Sequence, residues 1–251
     1  MEFSDKVVLI TGAGQVLGRA IAEAFATFGA IVAANDLTPI NLDETVARIQ
    51  SSGGRVKDYI FDIARKMPVQ AMIEQVVQDW GRIDVLINNA RAAPHVSVLS
   101  MDEWDWHRTI DVNLGGPFFT MQSVGRVMQV QGGGVMLNVI AGFQREEDWM
   151  GRPAFVASQV GLAGLTQAAA RELEGDHIRV NAICPEMSQL DSLPITVGSI
   201  PVKDTHEQTD YLKAVVQAVF YLCSQAATHL NGQILKVDEG LRMSQSTPFL
   251  Y

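Results

Sequence analysis

Short apolar runs alternate with longer segments whose apolar residues recur at helical spacing, and the alternation continues through most of the chain. The first run, residues 6–11 (KVVLIT), is rich in β-branched residues and predicts a strand buried on both faces. It meets a glycine-rich turn over residues 12–18, followed by an alanine-rich helical segment that closes at Gly29. A second strand is predicted over residues 30–35, ending in Asp36, and a helix over residues 42–52 that stops at Gly53 and Gly54. The same reading predicts a strand at 56–61, a helix at 68–80, a strand at 83–87 and one long helix over 101–131. Further strands fall at 135–140, 179–184 and 231–238, with helices at 155–173 and 210–224. Residues 189–209 show no clear periodicity.

Composition narrows the function classes. A chain of 251 residues with 47% hydrophobic and 19% charged residues suits a single globular domain, 1–251, with a full core. A net charge of -9 and the lack of a basic patch argue against nucleic acid and anionic membrane as partners. Cys184 and Cys223 sit in apolar runs without metal spacing, which predicts reduced, buried thiols. The five histidines are scattered with no ligand spacing, so no metal is expected. The chain enters a strand almost at once, with no charged leader before a long apolar stretch, and a soluble cytoplasmic protein is expected.

Strand, glycine turn and helix form the context in which a dinucleotide fingerprint is credible. The acidic residue that ends the second strand, Asp36, strengthens it, since a carboxylate there favours NAD over NADP. Within the turn Val16 brings in a branched side chain, which should crowd a pyrophosphate or displace the helix N-terminus.

The segment from Asn138 to Thr166 resembles the active-site segment of the short-chain dehydrogenase/reductase family. In that family a strand ends in a catalytic serine, and a Tyr-x-x-x-Lys pair opens the next helix. Here those positions read Ala141, Phe155 and Gln159. Other family motifs are retained: Thr11, Gly12 and Gly18 in the turn, Asp62 at the adenine position, Asn88-Asn89-Ala90, Asn113, and Arg179-Val180-Asn181. The resemblance runs from Lys6 to Leu241 and implies a Rossmann-like, doubly wound parallel α/β sheet. It further implies that Gly12, Gly18, Asp36, Asp62 and Asn89 are vestiges of a cofactor site, blocked by Val16, Arg91 and Glu186. Arg91 stands where the family has glycine. It reads either as a solvated arginine at a strand end or as one that fills cofactor space or pairs with an acid such as Glu186. Asn113 reads as structural, supporting an irregularity in its helix. The aromatic residues Trp104, Trp106, Phe118 and Phe119 read as core or interface.

In the family the tyrosine exchanges a proton with substrate, the serine orients its oxygen, and the lysine charge lowers the tyrosine pKa. Phe155, Ala141 and Gln159 offer none of these, and a positioned acid/base alone is worth roughly 10²–10⁴-fold in rate. A pseudoenzyme is expected, with no cofactor in this chain. The expected partner is an active, NAD-dependent family member in a hetero-oligomer, a mixed tetramer, with a four-helix bundle built from the helices at 101–131 and 155–173. Paired chains of this kind occur in the oxidation of 2-[hydroxy(phenyl)methyl]succinyl-CoA in anaerobic toluene degradation, and the chain is similar to the inactive member. Two alternatives stay open: an NAD- or small-ligand-binding module without turnover, and an enzyme using displaced residues such as Glu147 or Arg91. The apolar end of the tail, PFLY, reads as a segment buried against a neighbouring subunit.

Overall fold

Seven parallel strands in the order β3-β2-β1-β4-β5-β6-β7 form one sheet, with helices on both faces. The computed structural model describes residues 3–142, 150–186 and 206–237. The strands are β1 (Val7–Thr11), β2 (Ile31–Asp36), β3 (Arg55–Ile60), β4 (Val85–Asn88), β5 (Gly134–Val139), β6 (Ile178–Pro185) and β7 (Ile234–Val237). The helices are α1 (Val16–Thr27), α2 (Pro39–Ser51), α3 (Lys66–Trp80), α4 (Glu103–Ile110), α5 (Gly116–Gln131), α6 (Pro153–Leu173) and α7 (His206–Cys223). The doubly wound parallel sheet read from the sequence is the observed fold. The strands are nearly continuous apolar runs because helices cover both faces: every residue of β1 is buried, as is every residue of β4.

Two cores result. Phe25, Leu42 and Ile49 from α1 and α2 pack with Val215, Val219 and Leu222 of α7 on one face of the sheet. Met72, Val76, Met121, Val124 and Met128 from α3 and α5 pack on the other. The single helix expected over 101–131 is instead α4 and α5 joined by a π-helical turn, Asp111–Gly115. Asn113 lies in that turn, so the expected irregularity sits where the asparagine is. Of the four aromatic residues of this region, Phe119 packs against the core and the other three are exposed. Trp104 is 71% exposed and Trp106 41%, while Phe118 is exposed and packs edge-on against the half-buried Phe119.

A buried polar chain fixes the sheet to α5 and α6 beside the crevice. Asn88 donates to Asn138 (2.9 Å), Asn138 donates to the Thr166 hydroxyl (2.9 Å), and Thr120 donates to Asn88 (2.7 Å). Each group is enclosed, so losing one member would strand the others without partners. At the opposite end of the sheet Asp84 is held by Lys6, Arg82 and the Val7 N–H. Cys184 and Cys223 are buried free thiols. Among the described residues no helix is long and apolar enough to cross a membrane. The charged loop at 145–148, most of the segment at 189–209 and the apolar tail lie outside the described residues.

Candidate functional site

Strand order reverses between β1 and β4, and the crevice of a doubly wound sheet opens there, beyond the C-terminal ends of the strands. Gly12 follows β1 with φ +65°, and a Cβ on it would lie 2.8 Å from Ala90 Cα. A Cβ on Gly18 would overlap the Gly12 carbonyl oxygen. Both glycines are therefore required by the chain's own packing. Asn89 holds the same turn, its side-chain amide donating to the carbonyls of Thr11 (3.2 Å) and Gly12 (3.0 Å). The Thr11 hydroxyl in turn accepts the N–H groups of Asn89 and Ala90.

The two acids have partners as well. Asp36 accepts from the N–H of Gly14 (3.0 Å) and of Leu37 (2.7 Å). Asp62 accepts from the Ala64 N–H (3.0 Å) and is paired with Arg108 of α4 at 2.9 Å. Val16 does not displace the helix. It is the first residue of α1, follows the cap Gln15, and packs against the core that includes Phe155 and Tyr211.

At the reaction end the three substituted positions come together and are closed. Ala141, Phe155 and Gln159 are 3%, 2% and 3% exposed. The Gln159 Oε1 accepts the Ala141 backbone N–H at 2.8 Å. A lysine ammonium has donors only and could not accept that N–H. Ala141 and Phe155 belong to one apolar cluster with Val139, Ile183 and Tyr211. Asn113 is tied to the surrounding backbone, donating to Ala92 O (2.8 Å) and to the Ser158 hydroxyl (3.0 Å) while accepting the Ala92 N–H (2.7 Å). Ser158 points inward and donates to Phe155 O at 2.6 Å, so it offers no hydroxyl to the position at 155.

Arg91 is half-buried, not a freely solvated side chain. Glu186 is 5% exposed, and its N–H donates to the Tyr211 hydroxyl (2.6 Å), which donates to Val237 O (2.7 Å). Tyr211 thus ties α7 to the ends of β6 and β7. Sequence reasoning missed this tyrosine, as it missed Arg108, because neither sits in a recognisable motif. Glu147, one candidate for displaced chemistry, lies outside the described residues.

Residues 12–242 match the family described as Enoyl-(Acyl carrier protein) reductase. The 3-oxoacyl-[acyl-carrier-protein] reductase FabG of Thermotoga maritima is 34% identical, with 96% of this chain and 99% of the relative covered. The chain belongs to the short-chain dehydrogenase/reductase family. D-threitol dehydrogenase of Mycolicibacterium smegmatis is 33% identical over 94% of this chain and 92% of its own length. Among solved structures, hydroxysteroid dehydrogenase from Escherichia coli superposes with TM-score 0.81 at 28% identity, covering 95% of this chain and 97% of the other. NAD⁺-bound xylitol dehydrogenase gives TM-score 0.80 at 25% identity over 94% and 99%.

A nicotinamide dinucleotide is the cofactor this family implies. The residues at the reaction end do not fit it as a reacting group. No proton donor stands at Ala141, Phe155 or Gln159, and Gln159 is occupied with the backbone. At the adenosine end Gly12, Gly18, Asp36 and Asn89 keep the family's residue types while Val16 does not, and each retained residue also has the structural role described above.

Proposed function

We propose that the chain is a non-catalytic subunit of a hetero-oligomeric short-chain alcohol dehydrogenase. It would assemble with an active, NAD-dependent relative in a mixed tetramer and support that relative's site. The observation that carries this reading is the Gln159–Ala141 bond. It joins two of the three reaction positions in a buried contact, with Phe155 packed beside them in the core. A scaffold that folds well while its reaction groups are replaced by mutually satisfied structural ones suits a supporting subunit.

The surface supports assembly. Trp104, Trp106, Phe118 and Val160 are exposed on α4, α5 and α6, and a Cβ on Gly164 of α6 would meet nothing within 4 Å. Exposed aromatics beside small residues on helices invite close packing by another helix pair. The substrate of the partner would be of the 2-[hydroxy(phenyl)methyl]succinyl-CoA type, with NAD held in the partner and none in this chain.

Native mass spectrometry of the untagged protein from its source tests the proposal. A mixed tetramer with a second chain of similar mass is expected, and a homo-oligomer alone would sink it. A second reading, a module that binds NAD or another small ligand without turnover, draws on the α1 N-terminus. That terminus carries no side-chain cap and no acid in its first turn, so it would suit a phosphate group. Micromolar binding of NAD to the isolated chain would favour that reading.

A further inference from the structure

A cavity of about 560 Å³ lies at the N-terminal ends of β1, β4, β5 and β6, the far end of the sheet from the crevice. Its size is that of a small-molecule pocket. Phe3, Val85, Val135 and Ile178 supply apolar surface, and Lys6, Arg82 and Asp84 belong to the same lining.

The hydrogen-bonding capacity of these three charged groups is unevenly spent. Asp84 Oδ1 accepts from Lys6 Nζ (3.1 Å) and Arg82 Nη2 (2.6 Å), so the two cations meet on one oxygen. Asp84 Oδ2 accepts from Arg82 Nε (2.8 Å) and from the Val7 N–H (3.0 Å). Those bonds fill the roughly four acceptor positions of a carboxylate. The donors are not exhausted. An ammonium carries about three and a guanidinium about five, and among the described residues neither cation has a side-chain partner besides Asp84. Arg82 spends its Nε–Nη2 edge on Asp84 and keeps the Nη1–Nη2 edge, a fork that matches two oxygens of an oxyanion.

Neighbouring polar groups of the lining are already satisfied. Gln131 bonds the Ile83 N–H and the carbonyls of Ile83 and Gly133. The Arg179 guanidinium donates to the carbonyls of Leu222, Ser224, Ala227 and Leu230. Lys6, Arg82 and Arg179 face two carboxylates here, Asp84 and the exposed Glu174, and with His177 neutral the lining is net positive. That runs against the sign of the whole chain, which carries -9, and it makes this cavity attractive to an anion.

We propose that this cavity binds a small organic acid, its carboxylate held by the free edge of Arg82 and by Lys6, its apolar body against Phe3, Val85 and Ile178. A single negative charge neutralises the excess that Lys6 and Arg82 leave over Asp84. The site is remote from Ala141, Phe155 and Gln159, so it neither requires nor excludes a partner subunit.

Calorimetric titration of the full-length chain with benzoate, benzamide and inorganic phosphate tests it. Benzoate is expected to bind, and benzamide, of the same size but neutral, to bind at least roughly tenfold more weakly. Arg82→Gln should weaken benzoate roughly tenfold or more. Asp84→Asn should act in the opposite direction, tightening benzoate roughly threefold or more, because it removes the competing negative charge. A purely structural role of the cluster would not give these opposite signs. Lys6→Gln, at a half-exposed residue, is expected to weaken benzoate and decides the matter if Arg82→Gln does not fold. No binding of benzoate, or affinity unchanged by these substitutions, would overturn the proposal. So would benzamide or phosphate binding as tightly as benzoate.

Discussion

Gln159 and the backbone of Ala141 are joined by a buried 2.8 Å hydrogen bond that ties the segment after β5 to helix α6. The amide oxygen is the acceptor, which sets what can replace it. Gln159→Leu would leave the Ala141 N–H enclosed and unpaired, at a cost of about 1–3 kcal/mol. In a domain of this size that lowers Tm by about 2–4 °C per kcal/mol. Gln159→Lys should be at least as harmful, since it adds a buried charge and still provides no acceptor. Thermal unfolding of the two variants checks this, and an unchanged Tm for Gln159→Leu would remove the bond from the account.

Phe155 is 2% exposed within an apolar cluster. Phe155→Tyr adds a hydroxyl to that packing and is expected to destabilise by about 1–3 kcal/mol, the usual range for overpacking a core. It should also fail to produce hydride transfer alone, because Gln159 supplies no charge to lower the tyrosine pKa. An NADH-absorbance assay on the partner-free variant, run beside its unfolding curve, tests both halves. Turnover from this single change would refute the reading of the cleft as closed.

Gly18 separates two explanations for a retained motif. A Cβ there would overlap the Gly12 carbonyl, a backbone atom with little room to yield. Gly18→Ala is therefore expected to destabilise the ligand-free chain by about 1–3 kcal/mol or more. If ligand-free stability is unchanged, the glycine is kept for something other than packing, and nucleotide binding gains ground.

That distinction also marks how far the sequence could be read. The fold was legible because its strands are β-branched runs bounded by glycines and its helices are periodic. The substitutions at the reaction positions were legible too, since Phe155 and Gln159 differ from the family pattern in the very groups that act there. The roles of the retained residues were not. Asn89, Asp36 and Asp62 look like cofactor vestiges in a string of letters, yet each bonds to backbone or to Arg108 across a long sequence separation. Val16, read from the sequence as crowding the turn, is also the first residue of α1, and its side chain packs against the core. Local pattern reports the turn; only packing reports what the turn's residues are needed for.

The two thiols should be inert in the folded chain. Burial pushes Cys184 up to about 11 and Cys223 up to about 12, against smaller opposing effects of Lys236 and Arg179. Both are therefore protonated at neutral pH, and the thiolate is the reactive form. A disulfide reagent such as DTNB should titrate neither thiol in the native state and both in denaturant. Fast native reaction of either would show that its helix or strand opens readily.

Asp84 gives the sharpest dependence on pH. Burial works to raise its pKa, but the bonds from Arg82, the Val7 N–H and Lys6 outweigh it and hold the carboxyl below its ordinary value. A carboxyl whose folded pKa is depressed contributes stability that is fully present above the unfolded value of about 3.9. That contribution is lost as the pH falls through the folded pKa. Asp84→Asn should therefore be less stable than the native chain near pH ~7, by about 1.5–3 kcal/mol for the loss of bonds to a charged group. The gap should narrow steadily below pH ~4 as the native carboxylate takes up its proton. Denaturant unfolding of both proteins across that range measures the gap directly, and other carboxylates cancel in the difference. A gap that stays constant down to pH ~2 would mean that Asp84 acts through shape alone, and that its charge does not stabilise the junction of β1 and β4.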